Sequence, residues 1–276
     1  ALPMAASLGY GNYNGAFLSM RMSDWHGLTS MSNVTFSRAL GTGGFGSGIL
    51  TPMDMWDVSS MYGSQAFDIN WVYNLSIYYR PPVYKGQKGV LGQLLGGWVF
   101  SPLFTAQSGA PLSVLTNTSC QSFGEMNCSY LSQYYEQAVP LAPYTGGNSA
   151  HYNVTASGVA GQSGNAASGG TGMNIFADPS AAYSSFRRVI LGVDSRSGGA
   201  GPLRGFPTWN LDLSVMKDIR FREGMGATLS FQFVNVLNHF QPASPGLNID
   251  NPAGFGVITS QANAPRQIEF GLRIFF

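Results

Sequence analysis

Charge is what this sequence has least of. Only 10% of its 276 residues are Asp, Glu, Lys or Arg, against roughly 25% in soluble domains. A soluble chain so poor in charge struggles to cover its surface, whereas a surface facing lipid needs none. The net charge of +1 provides no basic stripe, which argues against nucleic acid as a partner. Long hydrophobic runs are also missing. The most apolar stretch, 90–104, is interrupted by Gln93, Gly96, Gly97, Ser101 and Pro102. Nothing reaches the ~18 residues of a transmembrane helix, although membrane strands give a much weaker signal than helices.

Histidine and cysteine are scarce as well. His26, His151 and His239 stand far apart, without acids at metal-ligand spacing. There is no Gly-x-Ser-x-Gly elbow and no Walker-type phosphate loop. No catalytic residue, metal or cofactor is therefore assigned, and no enzyme is expected. Cys120 and Cys128 are eight positions apart in a polar stretch. They read either as a local disulfide in an oxidising compartment or as two reduced thiols. With no second pair and no histidine nearby, zinc is not expected. The chain opens at Ala1 with neither an initiator methionine nor a signal peptide, so a mature product or a fragment is expected.

What is present is alternation, clearest in the last ten residues. Ile268, Phe270, Leu272, Ile274 and Phe276 fall on one face, and Gln267, Glu269, Gly271 and Arg273 on the other. A period of two separates sides this way only in an extended strand. Glu269 and Arg273 need water or partners, so a wet lumen on one side and lipid on the other satisfies both faces. An amphipathic strand of a soluble β-sandwich is the alternative.

The same pattern predicts six earlier strands: 14–22, 28–40, 67–80, 98–108, 208–216 and 227–237. Pro102 within the fourth predicts a bulge or a missing ladder bond. Residues 90–95 predict one or two helical turns, and 217–225 a short polar turn. The stretches at about 41–65, 110–205 and 238–265 read as long loops, the second with a Gly/Ser/Asn-rich run at 158–172. Short and long connections alternate, as they do when one rim of an up-and-down barrel faces the periplasm and the other the outside. Tyr79, Trp98 and Trp209 near strand ends fit interfacial aromatic girdles. The whole chain, 1–276, thus reads as all-β: about seven strands of an antiparallel up-and-down transmembrane β-barrel.

Several segments together resemble a known family. They include Tyr13-Asn14-Gly15, Asn33-Val34-Thr35-Phe36-Ser37-Arg38-Ala39-Leu40, and Leu94-Leu95-Gly96-Gly97-Trp98. Gln107-Ser108-Gly109-Ala110-Pro111-Leu112, Leu203-Arg204-Gly205 and Trp209-Asn210-Leu211-Asp212-Leu213-Ser214 follow. Phe233-Val234-Asn235-Val236-Leu237-Asn238-His239 and the stretch from Pro265 to Phe276 complete the set. In this order they are similar to the C-terminal part of TonB-dependent outer-membrane transporters, in the acidobacterial-type branch with an N-terminal carboxypeptidase-regulatory-like domain.

The resemblance implies a nutrient receptor in the bacterial outer membrane. Its partners would be the lipid bilayer, an N-terminal remainder of the same barrel carrying a plug domain, and an inner-membrane TonB-type energy coupler. It also implies that the terminal strand, with Ile268, Phe270, Leu272, Ile274 and Phe276, is the barrel-insertion signal. No plug domain and no TonB box is seen, and such barrels have about 22 strands, so a C-terminal portion of a larger barrel is expected. Cys120 and Cys128 are then expected to be joined on the extracellular side. Asp212, Glu269 and Arg273 are expected to line the lumen, either wetting its wall and pairing with plug or neighbouring strands, or binding substrate. A structural or assembly component of the cell surface without transport is the alternative function.

Overall fold

The computed structural model describes residues 7, 9–42, 59, 62–116, 136–142, 149–188, 201–222 and 224–276. Cys120, Cys128 and most of the 41–65 stretch lie outside them. Among the described residues, seven long strands form one antiparallel meander. They are β1 (Gly11–Trp25), β2 (Leu28–Gly41), β3 (Trp71–Tyr79), β4 (Trp98–Gln107), β5 (Thr208–Arg222), β6 (Met225–Val234) and β7 (Gln267–Phe275). Each pairs with its neighbour in sequence, and the two-residue strand Gly63–Ser64 adds to the end of β2. Strands of 9 to 15 residues suit a tilted crossing of hydrocarbon, which takes about 9–11. No helix among the described residues is long and apolar enough to cross a membrane.

The strands coincide with the predicted stretches, and the departures have physical causes. Residues 217–222 are strand rather than turn, because β5 and β6 stay in register to Arg220 opposite Gly226 and, after a register shift, pair again at Arg222 opposite Met225. Gly224, just before β6, adopts φ +75°. β6 stops at Val234 because Asn235 adopts φ +51°, a left-handed backbone that asparagine tolerates. Residues 67–70 fold as a turn before β3. Pro102 leaves the predicted gap. Ser76 pairs with Leu103 and Tyr79 with Phe100, but the ladder between them is not made. The β1–β2 hairpin turns at His26 and Gly27. A Cβ on Gly27 would lie 2.1 Å from the Arg80 carbonyl oxygen, so the neighbouring strand end requires glycine there.

The connections sort by end. The turn at 26–27, the β5–β6 reversal and the 80–97 segment close one rim; the described parts of the 42–70, 108–207 and 235–266 connections lie at the other. The 80–97 segment holds the anticipated helical turns as α1 (Gly89–Leu95). At the long-connection rim the described residues, mostly irregular backbone, pack into an ordered cap with its own core. Val114, Ile175, Phe176, Ala182, Phe186, Leu203, Phe255 and Ile258 are all buried in it. Phe176 stacks on Phe255 at 5.2 Å, and Tyr183 meets the same ring edge-on at 5.3 Å. The glycine-rich 158–172 run contributes two short 3-10 turns. Buried Asn174 accepts from the Phe176 N–H (2.8 Å) and donates to the Phe255 carbonyl (3.0 Å). Asp178 caps α2 (Pro179–Ser184) by accepting from Ser180 and Ala181 N–H groups. The composition of this region hides its order, because the core residues are spread over two connections far apart in sequence.

Candidate functional site

Antiparallel register places directly paired residues on one face, so the ladders assign both sides of the sheet. On one side run Ile268, Phe270, Leu272 and Ile274 of β7, opposite Phe233, Phe231, Leu229 and Ala227 of β6. These continue through Leu213 and Val215 of β5 to Pro102 and Phe100 of β4, and through Leu75 and Tyr73 of β3 to Val34 and Leu18 of β2 and β1. Phe270 is 70% exposed and Leu272 63%, an apolar surface that water does not favour. Phe276 follows the last residue of β7.

Near the long-connection rim this apolar side carries an aromatic row. Tyr73 lies 6.0 Å from Phe104, Phe104 lies 6.2 Å from Trp209, and Trp209 stacks on His239 at 3.9 Å. Near the opposite rim Trp98 stacks on Phe100 at 6.2 Å. From Trp209 to the level of Trp98 is eight residues of β5, roughly 27 Å along a strand. A strand tilt of about 40° reduces that to about 20 Å, close to the ~25 Å apolar band of an outer-membrane barrel.

The other side is predominantly polar. Ser19, Asn33, Asn74, Thr105 and Asn210 form one row across five strands. Ser19 donates to Asn33 Oδ1 at 2.6 Å, and Asn210 donates to Asp212 Oδ1 at 2.7 Å. Glu269 pairs with Gln232, and then Ser214 and Ser101. Arg273 pairs with Thr228 and Asp218; Thr228 donates to Asp218 at 2.9 Å, and Arg80 lies 3.6 Å from the same carboxylate. Asp212, Glu269 and Arg273 thus share the polar face, but they sit in separate ladders rather than in one cluster.

Asp212 has a second task. Its Oδ1 accepts from the Asn235 N–H at 2.8 Å, just where β6 ends. Buried Asn235 in turn accepts from the His239 N–H and donates to the His239 and Ala264 carbonyls. The three histidines are dispersed: His26 in the β1–β2 turn, His151 bridged to Asn174 in the cap, and His239 on Trp209. Among the described residues, no three His, Cys, Asp or Glu side chains stand close enough to hold a metal.

Two charged nodes escape a reading of periodicity. Asp68, completely buried at its carboxylate, pairs with Arg204, with Arg38 at 3.8 Å, and accepts from the Ala39 N–H at 2.7 Å. Burial pushes its carboxyl up; the Ala39 bond, the Arg204 bond and the two guanidinium charges outweigh this and hold it below its ordinary value. The second node is Lys217, on the apolar side opposite Trp98. It donates to the Leu94 and Gly96 carbonyls at the end of α1, and its ammonium lies 5.0 Å from the Trp98 ring centre. The only sequence signal for either is a charge placed where the local pattern is apolar or a turn is expected.

A comparison with protein families matches residues 1–269 to the Outer membrane beta barrel domain. The chain belongs to this family. No curated protein and no solved structure matches it. Membership turns the geometry into an orientation: the apolar side faces the lipid bilayer of the bacterial outer membrane, and the polar side faces the barrel interior. The soluble-sandwich alternative is thereby set aside. Within the described residues the barrel domain is open, with β1 and β7 each paired on one side alone.

Proposed function

We propose that this barrel domain is the C-terminal segment of a TonB-dependent outer-membrane receptor that takes up a nutrient. The open meander carries the reading. Seven strands with a polar inner side and two unpaired edges supply part of the wall of a wide barrel, since in lipid each unpaired backbone group costs several kcal/mol. An N-terminal remainder with further strands and a plug would complete it, and a TonB-type coupler would act through that remainder. The polar rows, with Asp212, Glu269 and Arg273, wet the inner wall and face the plug. The long-connection rim faces outside and the short one the periplasm. The segment has no enzymatic role in this reading, and Ile268, Phe270, Leu272, Ile274 and Phe276 form the insertion strand.

The ordered cap favours a second reading, a rigid surface or assembly component without transport. Uptake separates the two. Cells lacking the gene are compared with wild type for uptake of a panel of scarce nutrients, with and without the proton-motive force. Loss of one energy-dependent uptake supports the receptor; unchanged uptake of all nutrients together with a defective cell surface supports the alternative.

A further inference from the structure

We propose that α1 and the sheet beneath it form a groove that holds an acyl chain of a membrane phospholipid at the short-connection rim. The groove lies on the lipid-facing side, so its occupant follows from continuity with the bilayer surface. Val90, Gln93 and Leu94 of α1 line one side; Lys217, Ile219, Leu229 and Phe231 of β5 and β6 line the other, together with Trp98 of β4. Its volume is about 700 Å³, within the roughly 300–1,000 Å³ of small-molecule sites. Two features separate it from ordinary barrel wall. A bare strand wall offers lipid a flat surface, whereas α1 raises a second wall above it.

The second feature is the exposed apolar side of the helix itself. Val90 is 77% exposed and Leu91 64%, and Leu94 and Leu95 are exposed too. Four apolar side chains on a seven-residue helix do not face water at a periplasmic rim; they dip into the leaflet. The helix is held in place from below. Lys217 donates to its last carbonyls, Gln93 donates to the Arg220 carbonyl at 2.8 Å, and the Trp98 indole N–H donates to the Leu94 carbonyl at 2.9 Å. Lys217 and Gln93 also line the groove, but their polar ends are turned to backbone carbonyls, and the rest of the lining is apolar apart from Gly89. The assignment rests on the membrane orientation and is independent of whether the barrel transports.

The test uses the protein purified from outer membranes in mild detergent. A form retaining Trp98, with the other four tryptophans changed to Phe, is titrated with phosphatidylethanolamine carrying a dibromostearoyl chain. Saturable quenching of Trp98 at low lipid-to-detergent ratio is expected. A matched form retaining Trp209, on the same side at the opposite rim, should quench only in proportion to total lipid. Leu229→Phe narrows the groove and should weaken the saturable phase roughly tenfold, equivalent to about two lost buried methylenes. Native mass spectrometry of the otherwise unmodified chain gives a readout without tryptophan changes: one phospholipid retained by wild type and lost in Leu229→Phe. Proportional quenching of Trp98 like that of Trp209, or equal lipid retention in wild type and Leu229→Phe, overturns the proposal.

Discussion

Single residues at the long-connection rim link segments that are remote in sequence. Asp68 is the clearest. Its buried carboxylate binds Arg204, which lies 136 positions away, and the end of β2 through Ala39. A buried carboxylate without partners would shed its charge; with them it stays ionised well into acid. Because its value in the folded chain is lowered, its contribution is present above the ordinary carboxylate value of 3.8 and disappears as pH falls through the lowered one. Limited proteolysis between pH 7 and pH 3 should therefore show the 62–70 and 201–207 segments opening only at the acid end. In Asp68→Asn both segments should be cleaved readily even at pH 7, because the half-buried Arg204 is left without its counter-charge. Equal resistance of the two proteins at pH 7 would show that the pair does not hold the rim.

At the scale of elements, much was legible because two-residue periodicity survives wherever one face meets lipid and the other water. The spans of β2 and β4 follow directly from their alternation. β5 was read short, since Lys217 interrupts its apolar face and resembles the start of a turn. The lysine is tolerated there because α1 folds over it, a tertiary fact that no local pattern carries. The packing of the cap is hidden for a similar reason: Ile175, Phe255 and Ile258 become a core only when two distant connections meet. Two of the family-like segments meet at one joint. Gly109 belongs to one and Gly205 to the other, and a Cβ on Gly109 would fall 1.8 Å from the Gly205 carbonyl oxygen, beside the pairing of Pro111–Leu112 with Leu203–Arg204. Lys217 offers an element-level test. Lys217→Met suits a lipid-facing strand but removes charge-assisted bonds each worth about 1.5–3 kcal/mol. Amide exchange in 89–97 should accelerate about tenfold or more while that of β5 stays within a factor of two or so. Unchanged exchange in 89–97 would mean that the Gln93 bond to the Arg220 carbonyl and the Trp98 indole bond to the Leu94 carbonyl hold α1 without the lysine.

At the scale of the whole molecule, the described strands leave two free edges. β7 is paired with β6 along its length and has no second partner among the described strands, and the same holds for β1 beyond β2. Both edges are long, at 9 and 15 residues, and both present apolar side chains to lipid. Soluble edges are protected by lysine, proline or a bulge. β7 has none of these, and the bulge in β1 is confined to its turn, between Met22 and Trp25. Water cannot satisfy these backbone groups inside a bilayer, so each edge must pair with another strand. Three arrangements do this: β1 on β7 within the segment, edges of two copies on each other, or both edges on an N-terminal remainder. The first would bend seven strands into a very narrow, odd-numbered barrel, against the even numbers of bacterial single-chain barrels. The third requires no symmetry and fits a wide polar interior. Cysteines placed at Leu18 and Phe270 separate the three in intact outer membranes. Under mild oxidation the two should not join within one segment, and each should form a disulfide only with a cysteine in a strand of the remainder. An efficient Leu18–Phe270 link within one chain would make this a small closed barrel; a link between two copies would make it an oligomer. Either result removes the larger barrel from which the transport reading is built.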